Sequence, residues 1–195
     1  MPNNSPNPLF YDGVISGDVR NIINGTFRQQ LIANTTVVQN TNPTSATNMM
    51  TAILQANTLA AVGDGIEIWA AGTVNLTTTT SAATFAIVLG GVTIATFTTG
   101  NFAVGALNLA WNLQINSTVV TVAVGGNVTL ETHGTVNASL TTAAGATTSY
   151  NDINVAVSSA IVGGSTLTLA ITGFLAAGNA ASFINQRQLQ VWLDS

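Results

Sequence analysis

The sequence contains no cysteine and no lysine, and only ten of its 195 residues carry a charge. The absence of cysteine excludes disulfides, a thiolate nucleophile and cysteine-ligated zinc. The three basic residues, Arg20, Arg28 and Arg187, are too few to form the cationic surface that binds nucleic-acid phosphates or anionic lipids. We therefore expect neither nucleic acid nor a membrane as a partner.

Charge is missing altogether from Ile68 to Leu130, a run of 63 residues. Soluble domains are on average about one-quarter charged, so this surface must be built of Thr, Asn, Ser and Gln instead. The apolar fraction of 47% favours a folded chain, but its apolar runs are too short to span a bilayer. We expect the uncharged stretch to supply core on one strand face, and subunit contacts and an amide-coated wall on the other.

The N-terminal segment differs in composition from the rest of the chain. Three of the four prolines lie in the first eight residues, which favours an extended backbone. The segment has neither the basic nor the apolar region of a signal peptide, so we expect synthesis in the cytoplasm without a signal peptide. We predict an arm over residues 1–30 and one domain over residues 31–195.

Beyond the arm, apolar and polar residues alternate with the period of two that is typical of β-strands. The clearest run predicts one inward row of large apolar residues, Leu107, Leu109, Trp111, Leu113 and Ile115. The same rule predicts further inward rows: Ile66 and Ile68; Phe85, Ile87 and Leu89; Val92 and Ile94; Val120, Val122 and Val124; Ile153, Val155 and Val157; Leu167, Leu169 and Ile171; and Leu189, Val191 and Leu193. Short strands in this number predict an all-β fold, a jelly-roll-like antiparallel β-sandwich with an extended N-terminal arm.

Three pairs of adjacent glycines separate such runs, at Gly90-Gly91, Gly125-Gly126 and Gly163-Gly164. Glycine is favoured in the tight turns of hairpins because those turns need positive φ angles. Each pair is therefore predicted to be a hairpin turn.

Residues that could perform chemistry are sparse. The single histidine, His133, lies two residues from Glu131, which is a possible metal or proton-transfer pair but is also typical of an exposed polar pair on a strand. Asp64 and Glu67, alone or with Glu131 or Asp152, are the carboxylates available for glycoside hydrolysis, yet Asp64 lies between two glycines as turn residues do. We expect no enzyme, no metal site and no cofactor.

The three tryptophans take different positions in the alternation. Trp111 has the inward parity, whereas Trp69 and Trp192 have the outward parity of their strands. An outward tryptophan can anchor a protein interface or stack on a sugar ring, and it can equally be covered by a loop or an arm. These alternatives stay open at the level of sequence.

Several segments resemble jelly-roll modules in tailed-phage virion proteins, which include head decoration (cement) proteins and the head domains of fibres and spikes. The segments are Ala33-Asn34-Thr35-Thr36-Val37-Val38, Gln55-Ala56-Asn57-Thr58-Leu59, Gly63-Asp64 with Ile66 and Ile68, Ala71-Gly72, Leu89-Gly90-Gly91, and Trp111 with Leu113. They span roughly residues 31 to 193 and mostly encode turns and strand parity.

The resemblance implies a structural virion protein, a homotrimer that stabilises the outer surface of a phage capsid by bridging neighbouring capsomers. Its partners would be further copies of itself and the major capsid protein, and it would be made in the host cytoplasm. The arm would contact the capsid through six candidate residues, Pro8, Leu9, Phe10, Tyr11, Arg20 and Arg28.

The alternative is a receptor- or carbohydrate-binding head domain of a phage fibre or spike. It would use Trp69, Trp192 and Tyr150 as interface aromatics or a stacking platform. A fibre needs a long shaft, and an arm of 30 residues is too short to supply one, which favours decoration. A coat protein of an RNA virus is disfavoured because such an arm would be basic.

Overall fold

The computed structural model describes residues 28–77, 80–105, 108–141, 147–157, 161–177 and 181–194. Regular structure within these ranges consists of β-strands, and no described helix is long and apolar enough to cross a membrane. The strands are β1 Arg28–Asn34, β2 Val38–Thr41, β3 Thr47–Leu54, β4 Gly65–Asn75, β5 Ala83–Leu89, β6 Val92–Thr98, β7 Leu109–Val122, β8 Asn127–Thr141, β9 Thr147–Val157, β10 Ile161–Val162, β11 Leu167–Leu175 and β12 Phe183–Asp194.

The strands form two sheets, one of eight strands and one of four. Five antiparallel strand pairs, nested in the sequence, account for most of them: β1 and β2 with β12, β3 with β11, β4 with β7, and β5 with β6. The pairings of β12 with β4 and of β11 with β5 close each sheet. This winding of one long hairpin into two sheets is a jelly roll, and it confirms the predicted fold class.

The remaining strands widen one sheet. Between β7 and β11 the chain adds β8, which pairs with β7, and then β9 and β10, which both pair with β8. All three lengthen the eight-stranded sheet, whereas β3, β11, β5 and β6 make up the four-stranded one. The larger sheet therefore has a broad outer face.

The core lies between the sheets and follows the alternation in the sequence. Along β7, Trp111, Leu113 and Ile115 are buried while the residues between them are exposed. The Trp111 ring packs against Phe85 of the other sheet, with ring centroids 4.4 Å apart. Most predicted inward rows are confirmed as core, including those of β4, β5, β11 and β12. The side chains of the Ile153, Val155 and Val157 row lie outside the described residues.

The row of Val120, Val122 and Val124 was predicted wrongly. The inward parity of β7 continues through Ser117 and Val119, which are both buried, and the valines that follow are exposed. Ser117 satisfies its hydroxyl through a buried hydrogen bond of 2.9 Å to Thr132 on β8, so a polar residue occupies a core position. Just after it, a bulge in the β7–β8 register shifts the pairing between Val119 and Thr121.

Two of the three glycine pairs are hairpin turns, as predicted. Gly90 and Gly91 join β5 to β6 with φ angles of +58° and +83°, and Gly125-Gly126 lies in the loop from β7 to β8. The prediction for Gly163-Gly164 is wrong, because this segment connects β10 in one sheet to β11 in the other. Gly163 is needed there for a close approach: a Cβ atom would lie 2.2 Å from the carbonyl oxygen of Leu59.

A buried glutamine joins the two sheets near the bulge in β12. Gln186 is fully buried, and its Oε1 accepts a hydrogen bond of 3.0 Å from the backbone N–H of Met50 on β3. Its Nε2 donates to the carbonyl oxygen of Gln188 at 3.2 Å. Both ends of the amide are thus satisfied, as buried polar groups require.

The predicted arm falls almost entirely outside the described residues. This applies to its candidate capsid contacts Pro8, Leu9, Phe10, Tyr11 and Arg20. Arg28 is the first residue of β1, and its backbone pairs with that of Asp194 on β12.

Candidate ligand-binding face

The outer face of the eight-stranded sheet is a polar, nearly uncharged surface. On β7 the outward positions are Asn112, Gln114, Asn116 and Thr118, and all four are exposed. Side-chain amides carry both hydrogen-bond donors and acceptors, so such a surface can bind polar groups without charge. The amide face predicted from the alternation is confirmed for β7.

The strand register brings the two outward tryptophans together on this face. Trp69 of β4 lies opposite Gln190 of β12, and Trp192 lies opposite Glu67, so the two indoles are diagonal neighbours across one strand pair. Their ring centroids are 5.7 Å apart with an interplanar angle of 69°, an edge-to-face arrangement. Trp69 is 42% exposed and Trp192 is partly buried, which confirms their predicted outward orientation.

Glu67 lies beneath this pair and is only 7% exposed. Its Oε1 accepts hydrogen bonds from Trp69 Nε1 at 2.5 Å and from Gln114 Nε2 at 3.3 Å. A buried carboxylate needs such donors, and in return it fixes the orientation of the indole and of the amide. The sequence suggested Glu67 only as a hydrolytic carboxylate, and the structure shows in addition that it accepts hydrogen bonds from Trp69 and Gln114.

Three shallow depressions lie on the same face. The first, of about 220 Å³, is bordered by Trp69 together with Asn112, Gln114 and Gln188. The second, of about 200 Å³, lies between β7 and β8 and is lined by Ala110, Asn112, Asn137, Ala138 and Ser139. The third, of about 230 Å³, is lined by Gln114, Asn116, His133, Gly134 and Thr135.

The depressions are adjacent, because Asn112 lines the first and the second and Gln114 lines the first and the third. The side chains that border the first two are all uncharged. We refer to the three depressions together with Trp69 and Trp192 as the outer-face trough.

His133 and Glu131 form an exposed pair at one end of the trough. His133 Nε2 lies 2.8 Å from Glu131 Oε1, and the two side chains are 55% and 43% exposed. Across the described ranges, no three His, Cys, Asp or Glu residues are grouped so that they could hold a metal ion. The two side chains are an exposed polar pair on β8, as their spacing of two residues indicated.

Asp64 has the turn role that its flanking glycines indicated. Its Oδ2 accepts hydrogen bonds from the backbone N–H groups of Ala60 and Ala61, at 2.8 and 2.7 Å. The carboxylate stabilises the loop before β4, and Asp64 does not line any of the three depressions.

Tyr150, the third predicted aromatic, lies on β9, where its backbone pairs with Ala138 of β8. Its side chain and that of Asp152 lie outside the described residues. The structure thus unites Trp69 with Trp192 and adds Glu67, which the sequence suggested only as a hydrolytic carboxylate. It also adds Asn112, Gln114 and Asn137, which the sequence did not single out as site residues.

No protein-family model and no curated protein matches the chain. Among solved structures, the chain is similar to the CBM2 module of the evolved Dit of Lactobacillus casei BL23 phage J-1. The TM-score is 0.36, with 8% sequence identity over 87% of this chain and 97% of that one. The likeness is distant.

Proposed function

We propose that this chain is a non-catalytic binding module of a virion, and that its outer-face trough binds a neutral glycan. The observation that carries the proposal is the exposed indole of Trp69, held by the buried carboxylate of Glu67 beside an open depression lined by amides. A fibre or spike head domain is the corresponding virion component.

The chemistry of the trough suits a sugar better than other ligands. An indole face packs against the apolar C–H face of a sugar ring, while Asn112, Gln114 and Gln188 can donate to and accept from its hydroxyl groups. Because Glu67 already fixes Trp69 and Gln114, little side-chain entropy is lost on binding.

The charge distribution points to a neutral ligand. No lysine or arginine borders any of the three depressions, so an anionic sugar or a phosphate would find no ion pair there. Binding should then change little with ionic strength, since a neutral ligand forms no ion pair with the protein that salt could screen.

The test is an array of neutral and acidic glycans probed with purified protein, followed by calorimetric titration of the neutral ligands that bind. Trp69→Ala is expected to reduce affinity by roughly tenfold or more, since a central aromatic contact is worth about 1.4 kcal/mol or more. The matched control is Ile53→Ala, which removes an exposed apolar side chain from β3 in the other sheet and should leave affinity unchanged. Affinity that Trp69→Ala leaves intact would contradict the proposal.

A second candidate function is capsid decoration, in which homotrimers bridge capsomers and contact the major capsid protein. It is favoured by the β7–β8 hairpin. β4 begins at Gly65, which pairs with Thr118 of β7, and the hairpin continues past this point. The extension carries the exposed apolar side chains Val120, Val122 and Val124. Exposed apolar side chains grouped at one end of a sheet are typical of protein contacts.

The decoration proposal is tested by mixing the protein with capsids that lack it and measuring co-sedimentation. Loss of binding on removal of residues 1–27, with unchanged circular dichroism, would support the arm as the capsid contact. Binding that survives the truncation would assign the contact to the sandwich.

A further inference from the structure

We infer that the outer-face trough binds an oligosaccharide through sugar-binding subsites in series along β7, rather than a single sugar. The inference rests on the proposed glycan function and specifies the size and direction of the ligand.

The trough is longer than a single sugar. Its second and third depressions lie at Asn112 and Asn116, four residues apart on one extended strand. At about 3.3 Å per residue, these side chains are about 13 Å apart. That span exceeds one pyranose ring, so a single sugar at Trp69 would leave both ends of the trough empty.

The regions of the first and second depressions differ in chemistry. Beside Trp69 the trough combines an aromatic face with amides, whereas at the second depression it is lined by Asn112, Asn137 and Ser139. Asn137 Nδ2 donates to Asn112 Oδ1 at 3.3 Å, which orients both amides before a ligand arrives. The Trp69 region therefore supplies stacking, and the Asn112–Asn137 pair supplies hydrogen bonds to a neighbouring unit.

The first and third depressions are continuous along β7. Gln114 borders both the first and the third depression, and its Nε2 is held by Glu67. A ligand stacked on Trp69 can thus extend along β7 in either direction without leaving the amide surface. The ligand is a linear neutral oligosaccharide that lies along β7, with Trp69 at its side.

The experiment uses the full chain and a panel of neutral oligosaccharides of one to six units, built on glucose, galactose, mannose, N-acetylglucosamine and N-acetylgalactosamine. Affinity is expected to rise by roughly three- to tenfold for each unit that gains hydrogen bonds, and then to level off once the trough is filled. Asn137→Ala should reduce the affinity for the longer ligands by more than the affinity for the shortest ligand. Asn48→Ala, an exposed asparagine on β3, is the matched control.

The outcomes separate the two proposals. A single sugar that binds as tightly as a longer ligand, or an Asn137→Ala variant that weakens all lengths equally, overturns the serial subsites and leaves the glycan function standing. No binding to any member of the panel overturns both. Thermal unfolding of each variant confirms that lost affinity is not lost fold.

Discussion

Glu67 shows how a single residue can take its role from neighbours that are distant in sequence. Its parity on β4 places it on the outer face, where a carboxylate is expected to be solvated. It is buried instead, because Trp192 lies opposite it across the strand pair and Trp69 and Gln114 donate hydrogen bonds to it. Two of these three residues belong to other strands, so no local pattern in the sequence could assign the role.

Replacement of Glu67 tests whether it positions the indole. Glu67→Ala removes the acceptor of the Trp69 Nε1–H, and the ring then has to be ordered when the ligand binds. We expect affinity for the glycan to fall by roughly three- to tenfold, which corresponds to one hydrogen bond of about 0.5–1.5 kcal/mol. Calorimetric titration measures the change.

The conservative variant separates positioning from packing. Glu67→Gln retains an acceptor oxygen of the same reach and should recover most of the affinity lost in Glu67→Ala. A merely structural role would instead appear as a lower melting temperature with unchanged affinity in the variants that stay folded. Equal affinity of the wild type and Glu67→Ala would rule out the positioning role.

At the scale of strands and turns, adjacent glycines serve different purposes. Gly163 lies where the chain crosses from β10 to β11, and an added Cβ would lie 2.2 Å from the Leu59 carbonyl oxygen and 2.7 Å from a Val128 methyl group. At Gly164 the nearest atom to an added Cβ is Asn57 Oδ1 at 3.7 Å, an ordinary contact. Neither residue has a positive φ angle, so space alone distinguishes them.

This difference predicts opposite effects of one substitution at neighbouring sites. Gly163→Ala must displace backbone as well as a side chain, and we expect it to lower the free energy of unfolding by about 1–3 kcal/mol. Gly164→Ala reduces the freedom of the unfolded chain without a clash, and it should be neutral or stabilising by up to about 1 kcal/mol. Urea denaturation of both variants provides the comparison. Equal stability of the two would show that the crossover relaxes around a larger residue.

The alternation of apolar and polar residues predicted most strands correctly, but it did not predict where a polar residue or a bulge interrupts an inward row. Trp111, Leu113 and Ile115 are buried as expected because this face of β7 is turned toward the core, where Trp111 packs against Phe85 of the second sheet. The rule failed at Val120 and Val122 because Ser117 and Val119 keep the inward parity, and a bulge and a buried hydroxyl pair lie just where the pattern looked interrupted. A buried serine is recognisable only once its partner, Thr132, is known.

Pairing partners were also beyond the reach of local patterns. The Gly90-Gly91 turn was predictable because both of its strands are adjacent in sequence, whereas β1 pairs with β12 at the other end of the chain. Such long-range pairs are selected by the whole packing of both sheets rather than by any turn. The same limit applies to the trough, whose side chains come from β4, β7, β8 and β12.

For the whole molecule, the uncharged stretch from Ile68 to Leu130 now has a definite location. It runs from β4 through β5, β6 and β7 into β8, and so contributes to both sheets. Its inward residues form much of the core, and its outward residues on β4 and β7 form most of the first depression. The missing charge therefore corresponds to a core and to an outer surface of amides, hydroxyls, indoles and methyl groups, and the proposed ligand and subunit contacts depend on this chemistry.

An assembly held together by such a surface should be insensitive to salt. If the protein is a homotrimer joined through uncharged contacts, light scattering should give a mass of about three times the 19.9 kDa chain at both low and high ionic strength. A monomer at micromolar concentration would contradict the trimer and, with it, the decoration proposal.

Substitution of an exposed valine in the β7–β8 hairpin tests whether this hairpin lies in the trimer interface. Val122→Asp places a charge at a side chain that is 42% exposed, and if the hairpin lies in the subunit interface the desolvation of that charge should shift the assembly to monomer. Val37→Asp introduces the same charge at a similarly exposed valine in the segment between β1 and β2, far along the chain from the hairpin, and serves as the control. A trimer that persists in Val122→Asp would place the subunit interface elsewhere. Glycan binding should be retained in this variant, because Val122 borders none of the depressions of the trough.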